Sequence, residues 1–205
     1  MKTFRRTLML MTKEEISKED IIETILFIIN KILDYTSKLQ QKTPSIFDTN
    51  YSEQEKDNDN ESTNTSSNDE INSNISSKSI EDKYTLTDYF YFWVEKFEFG
   101  GDLLILTMMN IDKILAKQFI LNSDNVKNIL FTCMVITQKY YEDVIFNDKD
   151  YSKIGGYTTE ELIKMEVEFL EMLDFSLHIK EEEFNKYKSK MITLWKDNLS
   201  YLSFS

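Results

Sequence analysis

The chain is poor in the residues that break or cross-link a fold. Its 205 residues include one cysteine, one proline, one histidine and four glycines. A single cysteine excludes an intrachain disulfide and a cysteine-based zinc site. Cys133 lies inside an apolar helical run, which predicts a buried, inert thiol. So little glycine and proline argues against a turn-rich β fold and for helices. The one histidine, His178, follows a helix end with no second metal-ligating or catalytic partner nearby in sequence, so it is read as structural or solvated. The pairs Gly100-Gly101 and Gly155-Gly156 lack the downstream Lys-Ser/Thr of a phosphate-binding loop. Acid pairs such as Glu142-Asp143 and Glu160-Glu161 fall at helix ends, where the helix dipole and solvent account for them. No nucleophile–base pair can be read. The expectation is a protein that is not an enzyme, with no catalytic residue, metal, cofactor or small-molecule ligand.

Positive charge and long apolar runs are also scarce. Acids outnumber Lys and Arg by 36 to 24, for a net charge of −12. Residues 48–83 hold 10 acids against 3 lysines, residues 1–47 hold 6 acids against 8 bases, and residues 84–205 hold 20 acids against 13 lysines. Nothing there makes the basic face of a nucleic-acid binder. In the opening MKTFRRTLMLM, the apolar residues after Arg5-Arg6 are too few for a secretory signal. Residues 21–33 are interrupted by Glu23 and Lys31, short of the roughly 20 predominantly apolar residues that span a bilayer. An intracellular protein of nucleus or cytoplasm, not bound to membrane, is expected.

What is present is helical periodicity. Thr12-Lys-Glu-Glu15 and Ser17-Lys-Glu-Asp20 both have the form of a helix start, a capping hydroxyl followed by acids. Ile21, Ile22, Ile25, Ile28, Ile29, Ile32 and Leu33 then recur at helical spacing to about residue 40. Such a stripe has to be buried, either on a neighbouring domain or on a membrane surface; its mixed Glu/Lys polar face favours the former. The organisation predicted is a disordered N-terminus over 1–12, a helix within 13–43 packed on the following domain, a disordered acidic Asn/Ser-rich insertion over 44–83, and an ordered domain over 84–198. Residues 48–83 have long apolar side chains only at Ile71, Ile75 and Ile80, too few to offset the entropy of ordering. Deleting residues 50–80 is therefore expected to leave the melting temperature nearly unchanged, because loop length changes closure entropy only slowly; calorimetry of the deleted chain checks this.

Within the ordered domain the spacing predicts helices over about 86–98, 102–118, 124–140, 148–153, 159–173 and 181–197. The third, VKNILFTCMVITQKY, has few charges on any side and is predicted to be the centre of a bundle. Thr158-Thr-Glu-Glu161 reads as a capping box for the fifth. Two charges stand in apolar surroundings. Glu166 shares a helix face with Leu162, Phe169 and Leu170, and Lys139 follows Val135 and Ile136 by one turn. A charge so placed is costly unless paired within the chain or used at an interface.

The run KYYED, then FNDKDYSKIGG, then EELIKMEVEFLEMLDFSL resembles the second half of a cyclin box of the single-box P/U type, the phosphate-starvation group. The resemblance implies an all-α fold: one five-helix cyclin box with an extra N-terminal helix and a C-terminal helix. It implies a non-catalytic subunit that binds and activates a cyclin-dependent protein kinase as a heterodimer. It further implies that Lys139 and Glu166 grip main-chain groups around the kinase's regulatory helix. An internal Lys139–Glu166 ion pair without a partner is the competing account. Asp112 matches the aspartate of the family's Asp-Arg pair, usually bridged by a first-helix arginine. Trp93 stands at that arginine position, so Lys96, one turn on, is the expected neutraliser of a buried Asp112.

Two alternatives to kinase activation remain at this point: a cyclin-fold scaffold, and a transcription-associated adaptor, against which the acidic balance and single box argue. Arg5-Arg-Thr-Leu8 fits a minimal destruction signal and Thr43-Pro44 a minimal proline-directed phosphorylation site, and both patterns are common by chance. The sequons at Asn60, Asn64 and Asn74 carry no weight without secretion.

Overall fold

The computed structural model describes residues 16–38 and 84–202. Among these the regular elements are seven α-helices, and no strand occurs. They are α1 (Lys18–Thr36), α2 (Leu86–Lys96), α3 (Gly101–Ala116), α4 (Val126–Tyr141), α5 (Asp148–Gly155), α6 (Thr159–Met172) and α7 (Glu181–Leu202). The expected termini, Thr12 start and insertion lie outside the described residues.

Sequence explains the helix starts. Ser17, Thr85 and Thr158 each accept the backbone N–H three residues on, and Asp20, Asp88 and Glu161 reach back to the cap. Each capping box satisfies two otherwise free donors. The end of α1 comes earlier than its apolar spacing predicts. Thr36 Oγ1 donates to the Leu33 carbonyl and Ser37 Oγ to the Asp34 carbonyl, and such local bonds compete with helix continuation.

Helix α4 lies at the centre. All its residues from Asn128 to Gln138 are buried, and it packs on α3, α6 and α2. The fully apolar character of its sequence is thus explained: no side of it faces water. Trp93 and Phe97 of the α2 end meet Phe131 of α4, with centroids 5.0 Å and 5.8 Å apart. Helix α1 buries Ile21, Ile22, Ile25, Leu26 and Ile29 against α3 and α7. Its approach is close enough that a Cβ on Gly101 would come 2.8 Å from Ile21 Cδ1.

Two glycines end α5 for different reasons. Gly156 takes a left-handed φ of 79°, which lets the chain turn into α6. Gly155 is needed for space, since a Cβ there would collide with the rings of Phe131 and Tyr157. Phe131 is fully buried and cannot move aside. Gly155→Ala is therefore expected to cost about 1–3 kcal/mol by overpacking, read as a lowered unfolding midpoint in urea.

Candidate partner-binding face

Three elements converge on Lys139. The last turn of α4 presents it, and Gln138 fixes that turn. The buried Gln138 amide donates to the Phe97 carbonyl at 2.9 Å and accepts from the Tyr151 hydroxyl at 3.1 Å. Asn147 caps α5 by accepting from the Asp150 N–H, which places Asp148 in the first turn. In α6, Leu162, Met165 and Phe169 point into the core, so Glu166 stands at the edge of that stripe.

The Lys139 ammonium donates to Asp148 Oδ1 and to Glu166 Oε1, both at 2.6 Å. The side chains are 24% exposed for Lys139, 44% for Asp148 and 13% for Glu166. Lys139 also lies 5.4 Å from the Tyr151 ring centroid. Two carboxylates share one ammonium, so the cluster carries a net negative charge. Burial alone would lower the Lys139 pKa, but the bonds from Asp148 and Glu166 outweigh it and hold the pKa above the usual lysine value. Burial raises the Glu166 carboxyl, and the Asp148 charge adds to this against the opposing bond from Lys139. The two shifts agree once the cluster is seen as one cation facing two anions: the lysine stays charged, and the excess negative charge is costly on the more buried acid.

The ion pair expected as one alternative is therefore made within the free chain. It does not use every valence. An ammonium has three donors and a carboxylate two acceptor oxygens. One donor of Lys139 and the second oxygen of Glu166 remain for a partner, among the described residues.

The elements that carry this cluster also expose apolar side chains. Val144 is 85% exposed, and Ile145 beside it is exposed as well. On α6, Ile163 and Val167 flank Glu166 on the solvent side, and Tyr140 follows Lys139 on α4. Contiguous exposed apolar side chains around a few polar groups mark interaction surfaces. Sequence reasoning did not single out Asp148, Val144, Ile145, Ile163 or Val167. The signal for α6 was available, because burying Leu162, Met165 and Phe169 leaves positions 163 and 167 outside. The loop residues carry no period from which to infer their facing.

Asp112 and Lys96 do not form the expected buried charge pair, and both are exposed. The inward row of α3 is Leu104, Met108, Ile111 and Ile114. Asp112 lies on the flank under α7 and accepts a 2.7 Å bond from the Tyr187 hydroxyl. Although the residue as a whole is exposed, the packing of α7 over its carboxyl desolvates that group and raises its pKa, opposed by the Tyr187 bond and the Lys190 charge. Lys96 lies over the Phe92 ring of its own helix at 5.7 Å. Trp93 is fully buried against Phe131, with its indole N–H unpartnered among the described residues. The expected Lys96 contact to Asp112 is thus absent, and the Tyr187 hydroxyl takes its place.

Cys133 is fully buried, and burial pushes its thiol pKa far up. His178 is exposed. Among the described residues no cluster of His, Cys, Asp or Glu could hold a metal ion. No described helix is long and apolar enough to cross a membrane.

The pattern that defines cyclins matches residues 30–177, from the middle of α1 to the link before α7. The chain belongs to the cyclin family. Helices α2 to α6 are its cyclin box, with α1 and α7 added, in an all-α fold. This cyclin is similar to PHO85 cyclin-7 of Saccharomyces cerevisiae, 35% identical over 83 residues, which are 40% of this chain and 29% of that protein. It is also similar to Cyclin-U4-2 of Arabidopsis thaliana, 32% identical over 89 residues, or 42% and 41% of the two chains. Cyclin-U2-2 of the same plant is 32% identical over 90 residues, or 43% and 39%. The chain spans less than half the length of each of these relatives. The resemblance to the P/U type accords with them.

Proposed function

We propose that this cyclin is a non-catalytic regulatory subunit that binds and activates a cyclin-dependent protein kinase. The observation that carries the reading is the Lys139–Asp148–Glu166 cluster, with valences left over, on elements that also expose Tyr140, Val144, Ile163 and Val167. Lys139 and Glu166 are the residues proposed to bond main-chain groups around the kinase's regulatory helix, while Val144, Ile163 and Val167 cover that helix. Charge-assisted bonds to backbone are stronger than neutral ones, and the apolar rim excludes water from them. Binding would favour the kinase conformation in which its catalytic Lys–Glu pair is closed, a shift of population driven by interface energy. Similarity to two yeast proteins, PHO85 cyclin-7 and PHO85 cyclin-6, supports this class of partner. The complex would act in nucleus or cytoplasm, without nucleic acid or membrane.

The test is titration calorimetry of the purified full chain against a panel of purified cyclin-dependent kinases. Saturable one-to-one binding to at least one of them is expected. Heat of dilution alone across the panel would remove the reading. A second reading, a cyclin-fold scaffold, draws on the fact that Lys139 and Glu166 already pair with one another in the free chain. A kinase that is bound but gains no activity would select it.

A further inference from the structure

Three helices of this cyclin end alike. At the C-termini of α2, α3 and α6 the chain enters the left-handed region at a residue that is not glycine: Glu98 (φ 53°), Gln118 (φ 68°) and Asp174 (φ 50°). In each case the next amide returns to a carbonyl five residues back. Phe99 bonds Val94 at 3.0 Å, Phe119 bonds Ile114 at 3.3 Å, and Phe175 bonds Leu170 at 2.8 Å. This closure commonly packs the apolar residue after the left-handed one back onto the helix. Phe99 obeys and is fully buried, and Phe119 is partly buried against the core. Phe175 does not, and is 67% exposed.

A second left-handed residue makes the difference. Phe175 itself has φ 55°, whereas Phe99 and Phe119 do not enter that region. A bulky aromatic side chain is strained there and persists only where its surroundings hold it. Lys113 in the last turn of α3 and Lys117, the residue that caps its C-terminus, do the holding. Lys113 Nζ donates to the Ser176 carbonyl at 2.9 Å. Lys117 Nζ donates to the Met172 carbonyl at 2.7 Å and pairs with the Asp174 carboxylate. Carbonyls on both sides of Phe175 are thereby tied to another helix.

We propose that Lys113 and Lys117 are positioning residues for the partner face. They cinch the link between α6 and α7 so that Phe175 projects as an apolar anchor, on a link that the Tyr141 hydroxyl also ties, through the Leu177 carbonyl at 3.0 Å, to the end of α4 that carries Lys139. The occupant is the kinase, so the inference rests on the kinase-binding reading above. Strain at Phe175 is the cost of presenting the ring outward, and the two lysines keep it presented before the partner arrives.

The experiment uses the full chain and the kinase it binds most tightly in the panel. Lys113→Met with Lys117→Met removes the donors and keeps the aliphatic stems. It is expected to weaken binding about tenfold. Hydrogen exchange at the Phe175 amide of the free chain should quicken by a similar factor, while the α4 amides stay protected. Lys113→Arg with Lys117→Arg should restore both. With Phe175→Ala, the methionine pair should cause no further loss of affinity, because the anchor it positions is gone. Unchanged affinity or unchanged Phe175 exchange in the methionine variant would overturn the proposal, as would an equal further loss in the Phe175→Ala background. Absence of any binding by the wild-type chain would instead remove the kinase-binding reading, and the exchange measurement would still decide whether the lysines hold the link.

Discussion

Replacing Lys139 and Glu166 together by alanine is expected to weaken kinase binding by about a hundredfold or more, with little change in melting temperature. The double change removes a cation and the anion it pairs with, so only Asp148 loses a partner. Asp148 is the most exposed of the three and can return to water. Lys139→Ala alone should be worse for the fold. It leaves Glu166 and Asp148 as unpaired like charges, one of them well shielded from solvent. Removing one partner of a buried pair costs about 3–5 kcal/mol, and the partial exposure here reduces that to about 1–3 kcal/mol. The order of stability, wild type and double variant above the single variant, is checked by urea unfolding.

The single variant should also respond to acid. The folded Glu166 pKa lies above its ordinary value even with the lysine present. The folded state therefore binds more protons than the unfolded state between the ordinary value and the folded one, and stability rises as pH falls through that window. Without Lys139, which opposes the rise, the window widens. Lys139→Ala should thus recover part of its lost stability on mild acidification, a recovery that Lys139→Ala with Glu166→Ala should lack.

The second large effect belongs to α1. A chain beginning at residue 41 is expected to aggregate or to lose its cooperative unfolding transition. Ile21, Ile22, Ile25, Leu26 and Ile29 are buried against α3 and α7. Each fully buried side chain of this size contributes about 1.5–3 kcal/mol, and five of them rival the about 5–15 kcal/mol that holds a whole domain together. Ile25→Ala, a single cavity, should cost only about 2–5 kcal/mol and leave a folded protein. Near-ultraviolet dichroism with thermal melts separates the two outcomes. A truncated chain that melted like the full one would show that the apolar face left on α3 and α7 needs no cover.

Much of this was legible because local chemistry and global packing agree. Ser17 and Thr158 start their helices by capping, and the uniformly apolar α4 sits where only an enclosed helix can. The meeting of Lys139 with Glu166, 27 residues apart, was legible only through resemblance to a family. Asp148 was passed over because an acid in a first turn is already accounted for by the helix dipole. Asp112 was misplaced for a related reason. A family pattern led to the expectation of a buried pair, while the facing of α3 turned on which of several adjacent apolar rows went inward. With apolar residues nearly all round that helix, its periodicity does not choose. The outward Phe175 depends on two backbone torsions, which no spacing of side chains encodes.

The most direct test of the central claim is kinase activity itself. Each purified cyclin-dependent kinase is assayed on a peptide substrate while the purified full chain is titrated in. The account expects at least one kinase whose rate rises saturably with the chain, and expects the Lys139→Ala with Glu166→Ala variant to need far more protein for the same rise. Rates that stay flat for every kinase, or that rise equally with the variant, would contradict it.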